Sequence, residues 1–131
     1  MALRQAPSQT LPGSQTLPGA PNPPRLKRRA EFLRVAASGR KAAVHGLVLQ
    51  ALARGDQGPA RLGFTVTKRV GNAVIRNRTK RRLREAARLV LAERPVGGTD
   101  LVLIGRDATR GREFAQLMDD LRRALRKVEA S

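Results

Sequence analysis

The sequence predicts one small α/β (α+β) two-layer sandwich, in the order helix, strand, strand, helix, strand, helix, with helices covering a mixed sheet. Three observations carry that prediction. Leu62 to Thr67 alternates, with Leu62, Phe64 and Val66 on one side and Gly63, Thr65 and Thr67 on the other, as a half-buried strand does. Leu101 to Ile104 is an unbroken apolar run within DLVLIGR, the pattern of a strand covered on both faces. Phe114, Leu117, Met118, Leu121, Leu125 and Val128 recur every three or four residues, the signature of a helix with one buried side. The 131 residues suit a single domain.

Taken in order, residues 1–24 are expected to form a disordered Pro/Gly-rich tail, and 25–129 one folded α/β domain. The tail holds TLPG twice, at Thr10–Gly13 and Thr16–Gly19, then Pro21, Pro23 and Pro24. Prolines remove donors and the small polar residues offer little to bury. RLKRRAEFLRVAASGRK predicts a helix over roughly 28–37, ended by Ser38 and Gly39, with Phe32, Val35 and Ala36 on one side. A strand is expected over about 44–52, and RGDQGPA at 54–60 is a turn or loop. So short a connection predicts that the 44–52 and 62–67 strands are antiparallel neighbours. Asn72 suits the N-cap of a helix from about Ala73, with Leu83, Ala86, Ala87, Val90 and Leu91 on its buried side. Pro95, Gly97 and Gly98 end it. The strand at 100–106 then returns as a β-α-β crossover, which makes the sheet partly parallel. Arg106–Arg112 is a charged turn, and Glu113 suits the start of the last helix.

Charge narrows the function. Lys and Arg number 27 against 10 Asp and Glu, a net +17, far beyond what solubility needs, so a polyanionic partner is implied. Nucleic acid and an anionic membrane both satisfy charge alone. Every apolar run falls well short of the roughly 18 residues of a transmembrane span, and the N-terminus lacks a secretory-type apolar segment, so a cytoplasmic protein is expected. Arg61–Arg88 concentrates ten Lys or Arg with one acid, Glu85. Arg76, Lys80 and Arg84 follow one another every four residues, about 6 Å apart along a helix axis, and Arg78 and Arg82 form a neighbouring row. Arginine offers a planar fork to two phosphate oxygens, and Lys80 a more mobile point charge. Asn77 can cap, orient an arginine or touch a ribose or base. Repeated like charges oppose helix formation, which favours a missing partner over a merely solvated face.

Protein-borne chemistry finds little support. His45 is the lone histidine and cysteine is absent. Asp56, Glu93, Asp100 and Asp107 are dispersed, with no spacing of a carboxylate pair or metal cage, so no catalytic residue and no metal ligand is assigned. Mg²⁺ held by phosphates stays compatible with this. Met118 suits core filling. Phe32 suits either a core anchor or a base-stacking platform.

The stretch Arg61–Ala86, RLGFTVTKRVGNAVIRNRTKRRLREA, resembles the bacterial ribonuclease P protein component, with Arg76-Asn77-Arg78 inside a long basic signature. Arg25-Leu26-Lys27 with Phe32 and Gly39-Arg40 resembles that family's opening segment, and Asp100–Arg106 its later strand, so the likeness covers most of 25–127. The resemblance implies a fold like the second domain of small ribosomal subunit protein five, with a left-handed β-α-β crossover. It implies a protein that binds a catalytic RNA and assists Mg²⁺-dependent removal of the 5′ leader from precursor transfer RNA, the RNA supplying the catalytic centre and binding most of the Mg²⁺. It implies no membrane and no obligatory protein partner. Arg76, Asn77, Arg78, Lys80, Arg81, Arg82 and Arg84 are then candidates for the catalytic-RNA surface, with Lys68 and Arg69 beside it. Phe32, Thr65 and Thr67 match a cleft that contacts the single-stranded leader. Ala36 and Gln50 stand where many relatives are aromatic, which shifts weight in that cleft to Arg34, Arg40, Lys41 and Gln50. A general or ribosomal RNA-binding module, a standalone metal nuclease and a membrane-surface protein are the competing readings.

Overall fold

The structure, a computed structural model, describes residues 23–130. The expected tail lies outside them up to residue 22, both TLPG copies included. The order is α1 (Arg29–Ser38), β1 (Arg40–Ala43), β2 (Leu47–Ala53), β3 (Arg61–Thr65), α2 (Ala73–Glu93), β4 (Thr99–Gly105), α3 (Asp107–Gly111) and α4 (Phe114–Ala130). The strands form one mixed sheet in the order β1-β2-β4-β3.

That order corrects one expectation. β2 and β3 are not neighbours; β4 lies between them, antiparallel to β2 and parallel to β3. Leu101, Val102 and Leu103 are buried on both faces, so β4 takes the central place where its continuous apolar run is covered. The 54–60 loop crosses the start of β4 instead of making a hairpin. Arg54 N–H donates to the Gly98 carbonyl (2.7 Å) and Gly98 N–H to that of Gly58 (2.7 Å). Gly98 sits at φ +62° against the Asp56 carbonyl, where a side chain would collide. The expected β3-α2-β4 crossover between parallel strands is present.

Two short elements went unread in the sequence. β1 is a strand only because β2 pairs with it, from Arg40↔Ala51 to Ala43↔Val48; RKAA has no strand preference of its own. Residues 44–46, expected to open the strand, form the turn between them, and His45 is exposed there. Within the expected charged turn, α3 forms because the Arg106 N–H donates to Thr109 Oγ1 (2.8 Å), whose hydroxyl donates to the Gly46 carbonyl (2.5 Å).

The main core lies between the sheet and the α2/α4 layer, and includes Leu47, Leu49, Leu62, Leu101 and Leu103 from the strands with Leu83, Val90, Leu117, Leu121 and Leu125 from the helices. α1 covers part of the opposite face, where Leu26, Val35 and Val102 form a second, smaller cluster with Phe32, Leu52 and Ile104 against it. Ala36, expected on the buried side of α1, is exposed.

Buried ion pairs fasten the margins. Asp100, fully buried, accepts from Arg61 through Nε and Nη2 (both 2.8 Å) and from Arg54 Nη1 (2.7 Å); Arg61 also reaches Glu31 of α1 (3.0 Å). Burial pushes the Asp100 carboxyl up, but the two guanidinium groups outweigh it and hold it below the usual carboxylate range. Asp120, equally buried, is gripped by both arms of Arg112 (2.7 and 3.0 Å), which lowers it too.

Candidate nucleic-acid interface

α2 begins where the sequence places it. Asn72 Oδ1 accepts from the Ile75 N–H (3.0 Å), satisfying one orphan donor of the first turn. Thr79, Leu83, Ala86, Ala87 and Val90 are buried, so the remaining positions face outward or along the flanks. Asn77, Arg78 and Arg81 are exposed, and Arg76, Lys80 and Arg84 lie half-buried along one flank. The Arg84 guanidinium stands 6.0 Å from the centre of the Phe64 ring on β3. The Nε atoms of Arg76 and Arg84 are buried without a hydrogen-bond partner. Their stems lie against the protein while the rest of each fork stays available.

None of the ion pairs among the described residues involves Lys68, Arg69, Arg76, Arg78, Lys80, Arg81 or Arg84. The acids sit elsewhere, and Glu85, the one acid of the stretch, is held by Arg88 (2.5 Å), whose hydrogen bond lowers its pKa. Seven cations outside every ion pair among the described residues make a costly surface in the free protein.

Arg82 departs from this row. Its Nη1 donates to the carbonyls of Thr109 (2.5 Å) and Arg110 (3.3 Å), and its Nη2 to that of Arg112. The α3 segment thus holds the guanidinium, which makes Arg82 a brace between α2 and α3. Spacing along the helix does not reveal this brace.

The second candidate region is the sheet face that α1 only half covers. Register sets two rows across it. Lys41, Gln50, Val102 and Gly63 lie side by side, and Ala43, Val48, Ile104 and Thr65 form the next row. α1 sits over the first row. A Cβ on Gly63 would come within 2.5 and 2.7 Å of the Phe32 ring, so only glycine lets that ring lie on β3. Gly63 is therefore covered, not open as the alternation implied. Val48, Ile104 and Thr65 are half-buried, and Thr67, Lys68 and Arg69 follow them, exposed, toward α2.

The structure thus brings Phe32, Lys41, Gln50 and Thr65 to one face, with Thr67 at its end. Arg40 is not among them. Its Nη1 donates to the Val128 carbonyl of α4 (3.1 Å), on the opposite face, because strand alternation turns it away from Lys41. Arg34 is exposed on α1 one residue before the buried Val35. Sequence reasoning missed the aliphatic floor of Val48 and Ile104. It also missed Arg106, exposed two residues beyond Ile104 with Nη1 donating to the Val44 carbonyl (2.9 Å). Knowing the register would have found all three.

Among the described residues no three His, Cys, Asp or Glu side chains are grouped to hold a metal ion, and no helix is long and apolar enough to cross a membrane. The buried acids are already occupied by arginines, a donor set unsuited to a Mg²⁺ cage.

Comparison with known proteins converges on one family. The Ribonuclease P family model matches residues 20–129. A ribonuclease P protein component of Gluconacetobacter diazotrophicus is 71% identical over 104 residues, covering 79% of this chain and 90% of the relative. That of Ruegeria pomeroyi is 54% identical over 109 residues, covering 80% and 86%. The solved RNase P protein of Staphylococcus aureus superimposes with a TM-score of 0.68 at 28% identity, covering 79% of this chain and 93% of that one.

Proposed function

The chain belongs to the ribonuclease P protein family, and is thus a protein subunit of an endoribonuclease of transfer-RNA 5′ processing; from this we propose how its surfaces divide the work. The exposed face of α2, with Arg76, Asn77, Arg78, Lys80, Arg81 and Arg84, docks on the catalytic RNA. Lys68 and Arg69 continue that contact toward the sheet. The cleft under α1, with Phe32, Lys41, Gln50, Thr65 and Thr67, holds the unpaired 5′ leader of precursor transfer RNA. The Mg²⁺ used in cleavage is bound mainly by the RNA.

The observation that carries this reading is the set of seven cations with no acid partner, adjoining a half-open sheet face. A folded cationic wall between two RNAs lowers their phosphate repulsion and holds them in one register. The cleft has one aromatic at its wall and an aliphatic floor, so it grips an unpaired strand by its backbone and one stacked base, without reading a sequence.

The Phe32→Leu variant tests the cleft. Base stacking on an aromatic ring is worth about 1–3 kcal/mol. Affinity for a leader-bearing precursor is expected to fall by about fivefold or more, and affinity for the same transfer RNA without a leader to hold. Equal losses for both substrates would assign Phe32 to packing on Gly63 alone.

A further inference from the structure

Between α2 and α3 runs a groove of about 450 Å³ whose walls carry Arg78 on one side and Arg110 on the other, with Thr79 and Arg82 at the α2 wall. We propose that this groove is a phosphate-binding notch for the RNA backbone, and that Arg110, outside the basic stretch of α2, is one of its two arms. The proposal rests on the docking reading above and extends it to a second element.

Three features support it. Arg78 and Arg110 are both exposed and neither forms an ion pair among the described residues. They reach the groove from different elements, so a bound anion is held from two sides, which a single helix row cannot do. The α3 wall is also fixed. Arg82 holds the Thr109, Arg110 and Arg112 carbonyls, and Thr109 is tied to Gly46. Arg110 itself donates one Nη1 proton to the Val70 carbonyl (3.0 Å), which fixes its direction and leaves its other donors for a ligand. Arg82 acts here as a positioning residue: it spends its own fork on backbone carbonyls and thereby sets the distance between the two arms. One acid, Asp107, lines the same groove and opposes an anion there; it also favours the first turn of α3.

With Arg76, Lys80 and Arg84 on one flank of α2 and the notch on the other, the helix is a ridge with cations on both sides. A ridge of that kind contacts two phosphate strands, as in the shallow groove of an RNA helix, where a single charged row contacts one.

Binding of the cognate catalytic RNA to the full chain, followed across a salt titration, tests the notch. Arg110→Ala should lower the slope of log K against log salt by about 0.7–0.9, one phosphate contact, while Arg110→Lys retains the slope. Asp107→Asn removes the opposing charge without touching either arm and should tighten binding about twofold to fivefold. An unchanged slope in Arg110→Ala, with the slope reduced in an Arg76→Ala/Arg84→Ala protein, would overturn the notch and leave the docking reading standing. An unchanged slope in both would remove the docking reading as well. Unchanged or weaker binding in Asp107→Asn also counts against the notch, whatever the folding state of the Arg110 variants.

Discussion

Replacing Arg76 and Arg84 together by alanine is expected to weaken binding of the catalytic RNA by about 100-fold at moderate salt, each lost charge-assisted contact costing about 1.5 kcal/mol. The slope of log K against log salt should fall by about 1.4–1.8, the signature of two phosphate contacts removed. Both residues stand on the flank of α2 outside the ion pairs of the described residues, and both carry a buried Nε with no hydrogen-bond partner among those residues. Removing them relieves repulsion and two unsatisfied donors while giving up the packed stems and the Arg84–Phe64 contact, so the isolated domain should melt close to the parent. Loss of affinity with retained stability separates a binding role from a structural one. A double variant that binds with the parental slope would contradict it.

Replacing Asp100 by alanine should do the opposite, destabilising the fold by about 3–5 kcal/mol with the α2 surface intact. The carboxylate is fully buried and joins the ends of β2, β3 and α1 through Arg54, Arg61 and, by way of Arg61, Glu31. Without it two guanidinium groups lose their counter-charge in a poorly hydrated place. Urea titration reads the loss directly. The same residue sets an acid limit: since its folded pKa lies below the unfolded value of about 3.9, its stabilisation is complete above that value and drains away as pH falls through the folded one. Asp120, lowered by Arg112, adds to the same window. The parent should lose stability steeply below about pH 4, and Asp100→Asn less steeply because part of that linkage is gone. An Asp100→Ala protein as stable as the parent would show that the network is only decoration.

How legible was this in the chain? Elements with their own periodicity were plain: β3 from alternation, β4 from its apolar run, α4 from its spacing, and α2 from Asn72 and a buried side on which Leu83, Ala86, Ala87 and Val90 are buried as expected, Leu91 is half-buried and Thr79 is added. β1 and α3 were not, because neither forms on local preference; one exists through pairing with β2 and the other through Arg82 and Thr109. Strand order failed for a related reason. A seven-residue loop reads as a hairpin locally, and only the two-sided burial of β4 puts that strand in between. The same distinction governs the site. Charge density along α2 was visible from sequence, but how each cation is held was not: Arg82 and Arg84 lie two residues apart, one bound to the carbonyls of the α3 segment and the other 6.0 Å from the centre of the Phe64 ring. Arg40 and Lys41 are neighbours whose side chains leave opposite faces of the sheet.

The most direct test of the central claim is cleavage of a leader-bearing precursor transfer RNA at limiting Mg²⁺, comparing the protein alone, its cognate catalytic RNA alone, and the two together. The account predicts no cleavage by the protein alone, slow cleavage by the RNA, and faster cleavage at the mature 5′ end by the mixture, with the enhancement shrinking as Mg²⁺ rises and itself screens the phosphates. A folded protein that leaves the RNA's rate unchanged across the whole Mg²⁺ range, or that cuts the precursor by itself, would contradict it.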